Sequence, residues 1–199
     1  MDKELRTLLQ TVELRESDTG VRKLEGYAVK WEQLSQKLGC FYRFQEKFSK
    51  GAFTESLKND TQRALWNHNT DIVLGNTKSN TLTLREDDIG LKFEVDLPNT
   101  SWGNDVYESV KRGDVDGVSF GFTQQIEEWD ESDPDNIIRT IGKAKLFEIS
   151  PTPFPAYEGS STVSTRSADD VYKEQREANP VKPTVSIDDT KLRKKLLFD

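Results

Sequence analysis

Residues Asp114–Phe122 read DVDGVSFGF. Val118, Phe120 and Phe122 alternate with Ser119 and Gly121, the period-2 pattern of a strand that turns one face to a core. A hydroxyl and a residue without a side chain then share the opposite face. Two readings stay open from these nine residues: a serine facing solvent, or a serine kept beside a gap because it reacts.

Working outward, most of the chain has the same strand character. KLEGYAVKW (23–31), FYRFQEKF (41–48), TLTLRED (81–87), GLKFEVDL (90–97), GVSFGFTQQIEEW (117–129) and NIIRTIGKAKLFEI (136–149) are rich in aromatic and β-branched residues. Gly, Asn, Asp or Pro separates them. EDDIG between TLTLR and LKFEV predicts a hairpin, and DESDPDN between EEW and IIRTI predicts a longer one. Helical spacing is confined to two short places. GAFTESLKN has Phe53 and Leu57 four apart, and WGNDVYESVKRGD has Val106 and Val110 four apart before Gly113. Many strands and few helices predict a β-rich α+β fold, a closed or nearly closed β-barrel with short helices packed outside.

The 199 residues suit one domain with an appendage. Hydrophobic residues make up 34% and charged residues 32%, lean enough that part of the chain is expected not to pack. The character changes near Arg166. Residues 167–199 hold seven acids and seven bases, with Pro180 and Pro183, and read as a disordered or loosely helical tail. The expected division is therefore a domain over 1–166 and a charged, flexible tail over 167–199. The closing KLRKKLLFD is compatible with a short amphipathic turn carrying Leu192, Leu196 and Leu197, or with an unstructured end.

Composition also narrows chemistry. The net charge of -7 argues against a protein that works by neutralising nucleic-acid phosphates. No apolar run approaches the roughly 20 residues of a membrane helix. The start, MDKELRTLLQ, has no apolar core of a secretory signal, so a cytoplasmic protein is expected. A single cysteine, Cys40, and a single histidine, His68, leave no disulfide and little basis for a metal cluster. Walker-type, dinucleotide-binding and EF-hand motifs are absent, and no cofactor is expected.

His68 lies in ALWNHNTDIVLG (64–75), where it is either a surface group or a general base with a pKa near 6.5. Glu148 lies in KLFEISPTPFPAY (145–157) between Phe147 and Ile149. It either points to water on the face opposite them or needs a partner to stay ionised. Ser119, His68 and Glu148 together supply the residue types of an acyl-transfer triad: nucleophile, base and orienting acid. Geometry, which spacing does not give, decides whether they meet.

EGYAVKW (25–31), EKFSKGAFTESL (46–57), LWNHN (65–69), VLGNT (73–77), DGVSFGF and LFEISPTPFPAY (146–157) occur in an order that resembles the prohead proteases of tailed bacteriophages, from about residue 21 to Arg166. That family consists of serine endopeptidases acting inside the immature capsid, with a fold similar to the herpesvirus assemblins. The resemblance implies His68 as base in an Asn-His motif, Ser119 as nucleophile in Ser-Phe-Gly-Phe, and Glu148 as acid in Leu-x-Glu-x-Ser, where Leu146 and Ser150 also match. It implies the major capsid protein and scaffold as substrates, self-cleavage, and a location in the host cytoplasm within the prohead. Gly121 then leaves space for a substrate backbone. Asn69 stands where aspartate is common and Val118 where methionine is common. Arg112 and Arg139 are both available to an oxyanion hole, without a motif to choose between them. A homo-oligomer is open.

The tail fits scaffold targeting or self-removal, or a linker without a role. Two rivals remain for the whole chain. One is a catalytically silent assembly protein with the same fold, against which the complete residue set argues. The other is a thiol peptidase using Cys40 and His68, but Cys40 in QKLGCFYRF (36–44) has no nucleophile motif.

Overall fold

The computed structural model describes residues 3–8, 12–16, 22–39, 43–153 and 168–179. The alternation around Ser119 extends into a long strand, β9 (Gly117–Asp130), which forms an antiparallel hairpin with β10 (Ile137–Thr152). β10 organises the larger sheet. On its other edge it pairs in parallel first with β4 (Phe44–Phe48) and then, at Glu148 and Ile149, with β5 (Arg63–Trp66). The intervening chain carries α1 (Thr54–Asn59) across the gap. There the free backbone of β10 finds other partners: Ala144 N–H donates to Ala52 O at 2.8 Å, and Leu146 N–H to Ser56 Oγ at 3.0 Å. A buried edge is thus satisfied without a continuous neighbour.

β6 (Asn69–Asn76) pairs with β5, and β1 (Glu4–Leu8) pairs antiparallel with β9, completing six strands in one sheet. β2 (Glu13–Glu16), β3 (Arg22–Lys30), β8 (Gly90–Asp96) and β7 (Leu82–Glu86) make the second, in the order β2-β3-β8-β7. The hairpin predicted at EDDIG joins β7 to β8, where Asp87 Oδ1 accepts the N–H groups of Ile89 and Gly90. Gly90 admits no side chain, since a Cβ there would lie 2.0 Å from Val29 O.

One hydrophobic cluster gathers residues of both sheets, among them Leu24, Val29, Phe93, Phe120, Phe122 and Ile141. Phe48 lies 5.4 Å from Phe120 and 5.2 Å from Phe122, edge to face, the arrangement aromatic quadrupoles favour. α1 ends the gap segment with its Phe53 N–H and Thr54 hydroxyl both held by Glu86 of β7, a cap supplied from the other sheet. α2 (Ser101–Lys111) is capped by Thr100 Oγ1, which accepts from Gly103 N, and stops before Gly113 at φ 80.

The β-rich fold with few helices is as expected, and its hydrogen-bonded ladders among the described residues trace two sheets rather than one continuous closed ladder. Beyond Arg166, residues 168–178 form α3 (Ala168–Ala178), whose Val171 and Tyr172 are buried against Phe44. Tyr172 lies 5.6 Å from Trp129, and Arg176 pairs with Glu131 at 2.9 Å. The composition of this helix is that of a tail, but two apolar residues one after another suffice to dock it. The KLRKKLLFD end lies outside the described residues.

Candidate active site

Ser119 belongs to β9, and its neighbours Val118, Phe120 and Phe122 are fully buried. Ser119 is buried as well, because β1 covers it. In the β1–β9 register Thr7 opposes Ser119 and Arg6 opposes Phe120. Ser119 Oγ donates to the carbonyl oxygen of Arg6 at 3.0 Å. The serine therefore faces neither water nor the apolar core.

His68 sits at the tip of the β5–β6 hairpin. Trp66 pairs with Asn69, leaving Asn67 and His68 as a two-residue turn at φ 48 and φ 62. Positive φ at both central residues matches the right-handed twist of the strands, but without glycine it costs on the order of 1 kcal/mol per residue. Three contacts hold the turn against the end of β10. Asn67 N–H donates to Pro151 O at 3.1 Å, Thr152 Oγ1 donates to Asn67 Oδ1 at 2.9 Å, and His68 N–H donates to Ser150 Oγ at 3.1 Å. What reads in the sequence as a polar loop is a turn fixed to the end of β10 by three hydrogen bonds.

Glu148 reaches the same place from β10. The register with β9 shifts between Leu146 and Glu148, so that Leu146 opposes Phe122 and Glu148 opposes Gly121. Such a bulge re-aims side chains. Leu146, Glu148, Ile149 and Ser150 are all buried, and Glu148 retains only 2% exposure, so the solvent-facing reading of this glutamate is excluded. Oε1 lies 2.8 Å from His68 Nδ1 and accepts from Lys3 Nζ at 2.8 Å; Oε2 accepts from Ser150 Oγ at 2.8 Å. Burial by itself would raise the Glu148 carboxyl, but the hydrogen bonds and charges of His68 and Lys3 outweigh it and hold it below its ordinary value. An ionised carboxylate accepts only, so Nδ1 carries a proton, and in the neutral form of the ring Nε2 is the nitrogen with the lone pair.

His68 and Glu148, 80 residues apart, are thus brought into contact. Ser119 lies on the adjoining strand directly opposite Ser150, which itself bonds both His68 and Glu148. The gap at Gly121 is filled. A Cβ there would lie 2.0 Å from Lys3 Cε and 2.6 Å from Glu148 Oε1.

The two arginines separate cleanly. Arg139 is fully buried, with Nη1 donating to Glu4 at 2.7 Å and Glu46 at 2.6 Å, and Nε donating to Glu127 at 2.7 Å. Burial opposes its charge, yet the carboxylates of Glu46, Glu4 and Glu127 raise its pKa well above the ordinary arginine value. Its role is to join β1, β4, β9 and β10. Arg112 is exposed and pairs with Asp114 at 3.2 Å. Of the two departures from the family pattern, Val118 is a core residue, while Asn69 is exposed and its Oδ1 accepts from Asp71 N. Cys40 lies outside the described residues.

Two side chains of the site escaped the sequence reading. Ser150 appeared there only as a motif match. Lys3 had no signal at all, since nothing local connects it to a carboxylate 145 residues away.

No helix among the described residues is long and apolar enough to cross a membrane. No curated protein matches the chain. The solved structure of the bacteriophage T4 capsid assembly protease, gp21, is similar in fold, with TM-score 0.53 at 11% identity, covering 75% of this chain and 96% of that one. A family model described as Caudovirus prohead serine protease matches residues 10–174. This span contains His68, Ser119 and Glu148 and begins after β1. The chain belongs to the caudovirus prohead serine protease family.

Proposed function

We infer that the chain is a serine endopeptidase of capsid maturation, with Ser119 as nucleophile, His68 as general base and Glu148 as the acid that orients it. The observation that carries this is the 2.8 Å contact between His68 Nδ1 and a buried, ionised Glu148. An imidazole so held presents Nε2 as the basic atom. Ser119 Oγ would attack the carbonyl carbon of a peptide bond while its proton passes to Nε2. The tetrahedral intermediate then collapses: the C–N bond breaks and the same proton leaves with the amine. Water repeats the sequence on the acyl-enzyme, releasing the acid product and regenerating the hydroxyl.

The substrates that this reading favours are the capsid protein and scaffold, together with the chain's own tail near or beyond Arg166, within the prohead in the host cytoplasm. Family membership and the fold likeness to a capsid assembly protease support them. The test is intact mass of the purified chain, wild type beside Ser119→Ala, incubated alone and then with capsid protein and scaffold. Cleavage by the wild type with none by Ser119→Ala is the expected result. Equal cleavage by both removes Ser119 from the mechanism, and no cleavage by either with all substrates present favours a catalytically silent assembly protein.

A further inference from the structure

We propose that the N-terminal strand occupies, within the same chain, the strand position that a substrate peptide must take, so that the folded chain is closed until β1 withdraws. This rests on the reading of Ser119 as nucleophile.

Three observations converge on β1. It is the outermost strand beside β9, with Glu4–Leu8 paired to Val118–Phe122. Without it β9 becomes a sheet edge whose free N–H and C=O groups take up an extended peptide. Next, its main chain fills the point of attack. Ser119 Oγ donates to Arg6 O at 3.0 Å, so a substrate strand laid along the same edge would have to displace this contact to reach the hydroxyl. Finally, Lys3 continues the strand over Gly121 and sets its ammonium on Glu148 Oε1, the same oxygen that lies 2.8 Å from His68 Nδ1. One segment thus engages both the nucleophile and the orienting acid.

β1 is also fastened from its other face. Glu4 is fully buried and accepts from Arg139 Nη1 at 2.7 Å and from Arg6 Nη2 at 2.6 Å, while Arg6 Nε donates to Glu46 at 2.8 Å. Alternation along the strand separates the two tasks. Glu4 and Arg6 anchor it, and the opposite face, which carries Lys3, meets the site. The match to the protease family covers residues 10–174 and so starts after β1. The ligand class of the β9 edge is an extended polypeptide running antiparallel to it, with a basic group able to reach Glu148.

The test compares the full chain, a chain trimmed to residues 10–199, and full-length Lys3→Ala/Leu5→Pro, which removes the ion pair and one strand N–H but keeps Glu4 and Arg6. The first readout is the rate at which a fluorophosphonate probe modifies Ser119, located by peptide mass. The second is binding of a labelled synthetic peptide of residues 1–9 to the trimmed chain. Trimmed and doubly substituted chains should react at least about tenfold faster than the full chain, as expected when the competent fraction is small. The peptide should bind the trimmed chain saturably and slow its labelling. Equal labelling rates in all three chains, or cutting of the full chain within residues 1–9 at the wild-type site as a substrate, overturns the proposal. Should the trimmed chain fail to fold, the double variant alone decides it by the same rates. Peptide binding without any labelling of Ser119 would keep the occupied edge and remove the nucleophile assignment instead.

Discussion

The hydroxyl of Ser150 ties the backbone of His68 to the carboxylate of Glu148, accepting from His68 N at 3.1 Å and donating to Glu148 Oε2 at 2.8 Å. It is a positioning residue: it fixes where the imidazole stands and which way the carboxylate turns. Ser150→Ala removes both bonds. We expect kcat to fall about a hundredfold with KM nearly unchanged, the size of effect produced by misplacing a catalytic group by about an ångström. Ser150→Thr, which keeps the hydroxyl, should recover part of the rate. A rise in KM with unchanged kcat would instead place Ser150 in substrate binding.

Glu148→Gln preserves shape but offers an amide in place of a charge. The imidazole is then free to take the wrong tautomer, and the imidazolium formed during attack loses its counter-charge. A fall in kcat of about 10⁴ is expected, by analogy with the same change in other triads. Steady-state kinetics on a cleaved peptide checks it. A loss below about tenfold would mean that the carboxylate only supports the fold.

Acid stability follows from the lowered Glu148 pKa. A carboxyl whose folded value lies below its unfolded value, about 4.3 for glutamate, contributes stability that is fully present above that unfolded value. The contribution is lost as pH falls through the lower folded value. Lys3 is one of the groups that lowers it, so Lys3→Ala should move the folded value upward and reduce the stability that Glu148 contributes above pH 4.3. Urea unfolding of wild type and Lys3→Ala across this acid range measures it. A Glu148 that titrates lower in the variant would contradict the assigned partner.

Arg139→Met removes the cation that Glu127 shares with Glu4 and Glu46 and leaves Arg6 to bridge the last two. Removing one partner of a buried ionic group typically costs about 3–5 kcal/mol, and denaturant unfolding should show a loss of that size. Arg139→Lys should restore little of it, because an ammonium cannot reproduce the fork that reaches three carboxylates. A loss under about 1 kcal/mol would mean that the cluster rearranges or takes in water.

Much of this architecture is visible in the chain itself where apolar alternation is strong. Val118, Phe120 and Phe122 in β9 and Leu91, Phe93 and Val95 in β8 face the core as their spacing predicts, and the Asp87 turn closes the hairpin where EDDIG predicts it. β1 escaped because its buried residues include Glu4, charged and matched by partners far along the chain. In ELRTL a charged residue sits where a strand of ordinary polarity would carry an apolar one. The His68 turn escaped because hairpin turns of this kind are marked by Asn-Gly or Asp-Gly, whereas here histidine itself takes the left-handed position. The bulge that turns Glu148 inward inserts Phe147 between two paired residues, and alternation counted through it assigns Glu148 to the wrong environment. The residue types of the site were legible; the strand that closes it was not.

The most direct test of the account is a double-mutant cycle on Ser119 and His68, read as kcat on a peptide substrate cut by the wild type. If the two act as one unit, Ser119→Ala, His68→Ala and the double variant should each lose about 10⁶ in rate, with no further loss on combination. Additive losses, or a Ser119→Ala variant that keeps most of its activity, would contradict the claim that Ser119 is the nucleophile activated by His68.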